Sequence, residues 1–199
     1  METEKKTKAI ASKATDAKVC CITEDQLKAI APQASDDSIK LYIPLLNKWM
    51  PYYSIKTKER QAAFVAQILH ETACFRYMKE IASGAAYDTG KLAAKLGNTP
   101  AKDGDGQKYK GRGAIMITGK DNYQKISDAL GVDFVSHPEL LEQPSYTIQS
   151  ACWWWWNAGL NKLADEGDFK TITKKINGGY NGYLDRLMYY KRALLSIEV

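Results

Sequence analysis

From Lys58 to Phe75 the apolar residues recur at helical spacing, Phe64, Ile68, Thr72 and Phe75 beside Val65, Leu69 and Ala73, and that period confines the segment to an amphipathic helix. Thr57 stands where an N-cap hydroxyl is wanted. Gln67, His70, Glu71 and Cys74 form the other face, with Glu71 on its border with the apolar stripe. A carboxyl group on such a border loses hydration, which raises its pKa and favours the protonated form. Glu80 follows nine residues later. If the helix ran on, nine steps of roughly 100° would carry Glu80 to the opposite side and about 13 Å along the axis. The helix is therefore expected to end first, and the glycine break in Ile81-Ala82-Ser83-Gly84-Ala85-Ala86 allows the chain to bring Glu80 round to face Glu71 across a cleft. One protonated and one ionised carboxyl group are the smallest apparatus that breaks a glycosidic bond. A lone glutamate is usually a solvated surface acid, so the pair needs support from its surroundings.

The rest of the chain reads as helices joined by short turns. Thr23 with Gln26 makes a capping box before a short helix ended by Pro32, and Ser35 starts another over 36–50 that Pro44 would kink. Helices over 122–130 and 168–176 are stopped by Gly131 and Gly178, and a last one covers 184–197. Trp153-Trp154-Trp155-Trp156 lies in a helix expected over 146–158; consecutive residues point about 100° apart, so the four indoles surround the axis of a helix packed on all sides. Strand signal is scarce. A small hairpin is expected from 114–118 and the segment around 108–110. The glycine-rich run from Gly104 to Gly119 is no ordinary buried helix; it suits a wall whose backbone approaches a ligand closely, though a surface loop has the same composition.

With 199 residues, 45% hydrophobic and 26% charged, the chain is long enough for one domain with a substantial core. Residues 1–21 read as a flexible tail and 22–199 as a single catalytic domain. The net charge of +5 is spread along the sequence, a mild bias toward anionic partners without the basic run expected of a nucleic-acid binder. The lysine- and alanine-rich N-terminal residues hold no apolar stretch long enough for a signal peptide or membrane span, so the expectation is a protein made in the cytoplasm and released by lysis, a holin or a secretion apparatus. Cys20 and Cys21 are adjacent, Cys74 and Cys152 stand apart, and reduced thiols are expected in the absence of an export signal. Cys74 and His70 share a helix face and raise the rival of a Cys/His hydrolase, but such nucleophiles usually take their histidine from elsewhere in the fold, and His137 precedes Pro138 in a loop. His70-Glu71-Thr72-Ala73-Cys74 lacks the second histidine of a zinc protease motif, and no metal or other cofactor is expected. Gly111-Arg112-Gly113-Ala114 lacks the spacing of a nucleotide-binding loop.

Beyond the two acids, Ala86-Tyr87-Asp88, Leu96-Gly97-Asn98-Thr99, Gly104-Asp105-Gly106, Tyr109-Lys110-Gly111-Arg112-Gly113, Ile115-Met116-Ile117-Thr118-Gly119-Lys120-Asp121-Asn122-Tyr123 and Ile176-Asn177-Gly178-Gly179 follow in order, with Arg186 in the last helix. Together they closely resemble glycoside hydrolase family 19, in its bacterial and phage forms of chitinase-like lysozymes and endolysins. The likeness covers roughly residues 58–195. It implies a mainly α, lysozyme-like fold of two helical lobes with a small β-hairpin and a central substrate cleft. By the same resemblance Glu71 is the general acid, Glu80 the general base and Thr118 the hydroxyl that helps to hold the attacking water. His70, Tyr109, Arg112, Asn122, Tyr123, Asn177 and Arg186 are expected to bind substrate. The family inverts by single displacement, which suits a water between carboxyl groups roughly 6.5–9.5 Å apart. Two departures concern sugar affinity: Met116 replaces a frequent glutamine, and Asn181 falls near an additional acid of the plant enzymes.

The resemblance implies hydrolysis of β-1,4 links in an N-acetylated glycan, with bacterial peptidoglycan favoured over chitin because the likeness is to bacterial and phage forms and the sequence shows no cysteine-rich chitin-binding module. Chitin is the alternative substrate, and a catalytically silent glycan-binding module the alternative class. The chain is expected to be a monomer that binds neither nucleic acid nor the membrane interior, with an immunity protein as partner if it is a delivered toxin.

Overall fold

The computed structural model of the protein describes residues 21–198. The expected tail, apart from Cys21, lies outside the described residues, as does Cys20. In order the helices are α1 (Glu24–Ile30), α2 (Asp36–Tyr52), α3 (Lys58–Glu71), α4 (Gly90–Lys95), α5 (Asp105–Lys108), α6 (Lys120–Leu130), α7 (Pro144–Asn157), α8 (Leu160–Asp165), α9 (Phe169–Asn177) and α10 (Tyr183–Ser196). Two 3-10 turns, Ala85–Tyr87 and Pro138–Glu142, also lie among the described residues.

Local rules explain most of these boundaries. Thr23 and Gln26 close the expected capping box on α1, the Ser35 hydroxyl accepts from the Ser38 amide at the start of α2, and the Thr57 hydroxyl accepts from the Arg60 amide at 3.3 Å. Gly131 and Gly178 end α6 and α9 in the left-handed conformation that a side chain resists.

The chain forms two compact units. One takes in residues up to Gln67 and from Trp155 onward; the other is Ile68–Trp154. The chain passes from one unit to the other inside α3 and inside α7. In the first unit α10 packs on α1 and α9, and α1 on α2. Its core includes Leu27, Leu46, Met50, Phe64, Trp155 and Ile172, with Phe64 meeting Trp155 edge to face at 5.4 Å. In the second unit the 3-10 turn at Ala85–Tyr87 touches α4 and α5, and Tyr109, Ile117, Tyr123, Ile126 and Phe134 are buried.

Three expectations need correction. Helix α3 stops at Glu71, four residues before the periodicity does. The next residues stay buried at Thr72, Cys74 and Phe75 while Ala73, Cys74 and Phe75 all take positive φ (47°, 61°, 65°); an apolar period reports burial, not the hand of the backbone. Cys74 therefore does not share a helix face with His70. The hairpin shrinks to isolated antiparallel bridges, Lys79 with Arg112 and Arg112 with Ile117, and 108–110 instead closes α5. The tryptophan helix is not packed on all sides: Trp155 is fully buried, whereas Trp156 is 39% exposed.

Candidate active site

Glu71 is the last residue of α3 and, like His70, is partly buried. The turn that follows reverses the chain without glycine. Thr72 organises it: its hydroxyl donates to the Ile68 carbonyl at 2.7 Å and accepts from the Phe75 amide at 2.8 Å, and its carbonyl accepts from the amides of Arg76 and Tyr77, each at 2.9 Å. Three consecutive left-handed residues with side chains cost about 1–2 kcal/mol each. Such strain persists where surrounding structure over-determines it, and it concentrates at functional sites. Here it separates the two acids, so Glu80 arrives on an extended segment and not on the helix.

That segment pairs with the glycine-rich run. The Glu80 amide donates to the Gly111 carbonyl at 2.8 Å and the Gly113 amide to the Met78 carbonyl at 2.9 Å. Arg112 and Ile117 then exchange both backbone hydrogen bonds across the intervening turn, at 3.1 and 2.8 Å, in which Met116 has φ 52°. Thr118 follows directly and donates its hydroxyl to the Met116 carbonyl at 2.9 Å.

The Glu80 carboxylate is held at both oxygens. Tyr87 donates its phenol to Oε1 at 3.0 Å, and the Gly111 amide donates to Oε2 at 3.1 Å. Burial, then the hydrogen bond and charge of Glu80, push the Tyr87 phenol above its usual pKa, so it remains a donor through the neutral range. A β-carbon on Gly111 would lie 3.3 Å from Glu80 Oε2, Thr118 Oγ1 and Met116 Cβ alike. The bare glycine thus lets a carboxylate and a hydroxyl converge on one spot. Asn122, in the first turn of α6, donates its side-chain amide to the Thr118 carbonyl at 2.7 Å and fixes that loop from the other side.

Tyr109, Arg112 and Tyr123 were expected to touch substrate, but all three are buried and hold the wall from behind. Arg112 donates to Glu142 at 2.8 Å, to the Lys108 carbonyl at 2.6 Å and to the Tyr123 hydroxyl at 2.9 Å. Tyr123 in turn donates to the Lys110 carbonyl at 2.7 Å, and burial pushes its phenol up to about 12. Tyr109 meets Tyr123 edge to face at 5.3 Å. A second anchor lies nearby: Asp88, also buried, accepts from the Gly104 and Gly106 amides at 2.9 and 3.0 Å. A side chain at Gly106 would come within 2.6 Å of the Gly84 carbonyl, so the loop packs this closely only with glycine there.

Asn177 and Arg186 belong to the other unit. Arg186 is buried and donates to Gln67 Oε1 at 2.6 Å and the Asn181 carbonyl at 3.3 Å; Gln67 donates to Thr173 Oγ1 at 2.9 Å. Asn177 Oδ1 accepts from the Asn181 amide at 3.3 Å. Arg186, expected to bind substrate, is therefore buried and hydrogen-bonded to the protein. Sequence reasoning assigned no role to Tyr87 or Gly111, because their relation to Glu80 follows no local spacing; the motifs that contain them were the only signal. Among the described residues no group of three or more His, Cys, Asp or Glu is placed to hold a metal ion, and no helix is long and apolar enough to cross a membrane.

A family model described as chitinase class I matches residues 53–167. A glycosyl hydrolase family 19 domain-containing protein of Haemophilus influenzae is 32% identical over 165 residues, 70% of this chain and 80% of that protein. An endochitinase of Arabidopsis thaliana is 33% identical over 138 residues, 69% of this chain; the match spans just under half of the plant protein, 46%. In fold, chitinase C from Streptomyces griseus superposes with a TM-score of 0.71 at 22% identity, over 92% of this chain and 95% of that one.

Proposed function

Since the chain belongs to glycoside hydrolase family 19, we propose that it hydrolyses β-1,4 links of an N-acetylated glycan by inverting single displacement, with bacterial peptidoglycan as the substrate. The observation that carries this reading is the double hold on Glu80 by Tyr87 and Gly111 beside the Thr118 hydroxyl. Two donors and a backbone pairing fix the direction in which its carboxylate accepts a proton. In the reaction Glu71 protonates the glycosidic oxygen as the bond to the leaving sugar breaks. Water attacks the anomeric carbon from the opposite face and gives its proton to Glu80. Thr118 accepts a hydrogen bond from that water, its own proton being committed to Met116, and Asn122 binds the sugar.

Peptidoglycan is supported by a net charge of +5 suited to an anionic wall. The enzyme would then act on the wall beyond the cytoplasmic membrane, as a monomer. Chitin is the second reading, favoured by the endochitinase names of several relatives. The test is digestion of purified peptidoglycan and of chitin oligomers side by side, with products identified by mass and reducing end. Release of muropeptides supports the first reading; cleavage of chitin oligomers alone replaces it with the second, and cleavage of neither overturns both.

A further inference from the structure

The tryptophan run has no part in the chemistry above, yet its last member is presented to solvent within an aromatic group. Trp156 is 39% exposed and Tyr52 37%, whereas Tyr53 is only 5% exposed. Tyr53 lies 6.5 Å from the Trp156 ring, 4.9 Å from Tyr52 and 6.4 Å from Trp49, and Trp49 meets Tyr52 edge to face at 5.7 Å. Four rings therefore form one connected group around a buried tyrosine. All of them belong to the unit that does not contain Glu80.

The group is held from below. Asn161 donates to the Tyr53 carbonyl at 3.1 Å and accepts from the Trp155 indole at 2.9 Å, so the buried neighbour of Trp156 and the backbone of the central tyrosine are tied through one amide. At the rim the Lys48 ammonium lies 4.6 Å from the centre of the Trp49 ring. Rings with few rotatable bonds on a fixed base lose little freedom when a ligand settles on them.

We infer that Trp156, Tyr52 and Trp49 form an accessory platform that binds the glycan polymer through residues other than those proposed for the chemistry. The inference rests on the proposed substrate class. Pyranose rings offer apolar C–H faces to indole and phenol rings and hydroxyls to the Tyr52 hydroxyl, while Lys48 matches an anionic wall polymer and opposes a purely apolar partner. A ring contact of this kind raises retention on an insoluble polymer without adding to the chemistry.

The test compares the wild type with Trp156→Ala/Tyr52→Ala and with Lys48→Glu. Each is assayed for retention on insoluble peptidoglycan and on chitin, for turnover of short soluble oligosaccharides, for thermal melting, and for mass in solution. The double variant is expected to lose about tenfold in retention, the sum of two ring contacts of ordinary strength, with oligosaccharide turnover unchanged. Lys48→Glu, which leaves all four rings, is expected to weaken retention on peptidoglycan and not on chitin. Undiminished retention by the double variant overturns the platform while leaving the proposed hydrolysis standing if the wild type cuts. A parallel loss of turnover and melting temperature in the double variant, with Lys48→Glu unaffected, also overturns it. A wild-type dimer that the double variant dissolves would make the patch a protein contact instead. A wild type that neither cuts nor binds either polymer removes the substrate reading and the platform together.

Discussion

Glu80 and Gly111 hold each other twice: the Glu80 amide donates to the Gly111 carbonyl at 2.8 Å, and the Gly111 amide donates back to Glu80 Oε2 at 3.1 Å. Backbone and side chain of the proposed base are thus fixed by one residue that has no side chain of its own. The arrangement defines what substitution at this site should do.

Gly111→Ala should fold and yet lose activity. Its new methyl would sit 3.3 Å from the Glu80 carboxylate and the Thr118 hydroxyl, so one of them must yield by a few tenths of an ångström. We expect kcat to fall by about tenfold, given how steeply rate depends on placement, with little change in melting temperature. Unchanged kcat would remove Gly111 from the geometry of the base.

Glu71→Gln and Glu80→Gln should each reduce glycan hydrolysis by about 10²-fold or more while folding and polymer binding persist. Undiminished hydrolysis by either variant sinks the assignment of that acid. The anomeric form of the first product, read by NMR at early times, should be inverted; a retained configuration contradicts single displacement.

Tyr87→Phe should lower kcat at every pH by a similar factor. Because the Tyr87 phenol is raised above 10 by burial and by Glu80, its protonated, donating form persists to higher pH than usual. Its loss through ionisation therefore cannot shape the profile below about pH 10. A variant that differs from wild type only in the alkaline range would contradict this.

Tyr123→Phe should be a stability variant. The phenol is buried, links Arg112 to the Lys110 carbonyl and is pushed up to about 12 by burial. Removing this hydroxyl from a buried hydrogen-bond network is expected to cost about 1–3 kcal/mol in denaturant unfolding, with KM for oligosaccharides barely moved. A large rise in KM at unchanged stability would restore Tyr123 as a direct contact.

Legibility from sequence followed the range of the interaction. The capping box at Thr23 and Gln26, the hydroxyl caps at Ser35 and Thr57, and the glycine stops at Gly131 and Gly178 are all contacts within about one helical turn, and each is present. The termination of α3 was expected only in outline, because the Thr72 turn keeps Cys74 and Phe75 buried and so prolongs the apolar period past the last helical residue. Tyr109, Arg112, Tyr123 and Arg186 carry polar groups suited to sugars, and nothing local reveals that those groups are already committed to the protein.

The sequence by itself determined the helical class, most helix ends and the motifs in which Glu71, Glu80 and Thr118 stand, since periodicity, caps and glycine stops act between neighbours. Only the tertiary structure decided which polar residues are framework, which tryptophan reaches solvent, and what grips the base. Those properties arise between residues far apart in the chain, 31 positions for Glu80 and Gly111 and 119 for Gln67 and Arg186, and packing rather than local propensity brings such residues together.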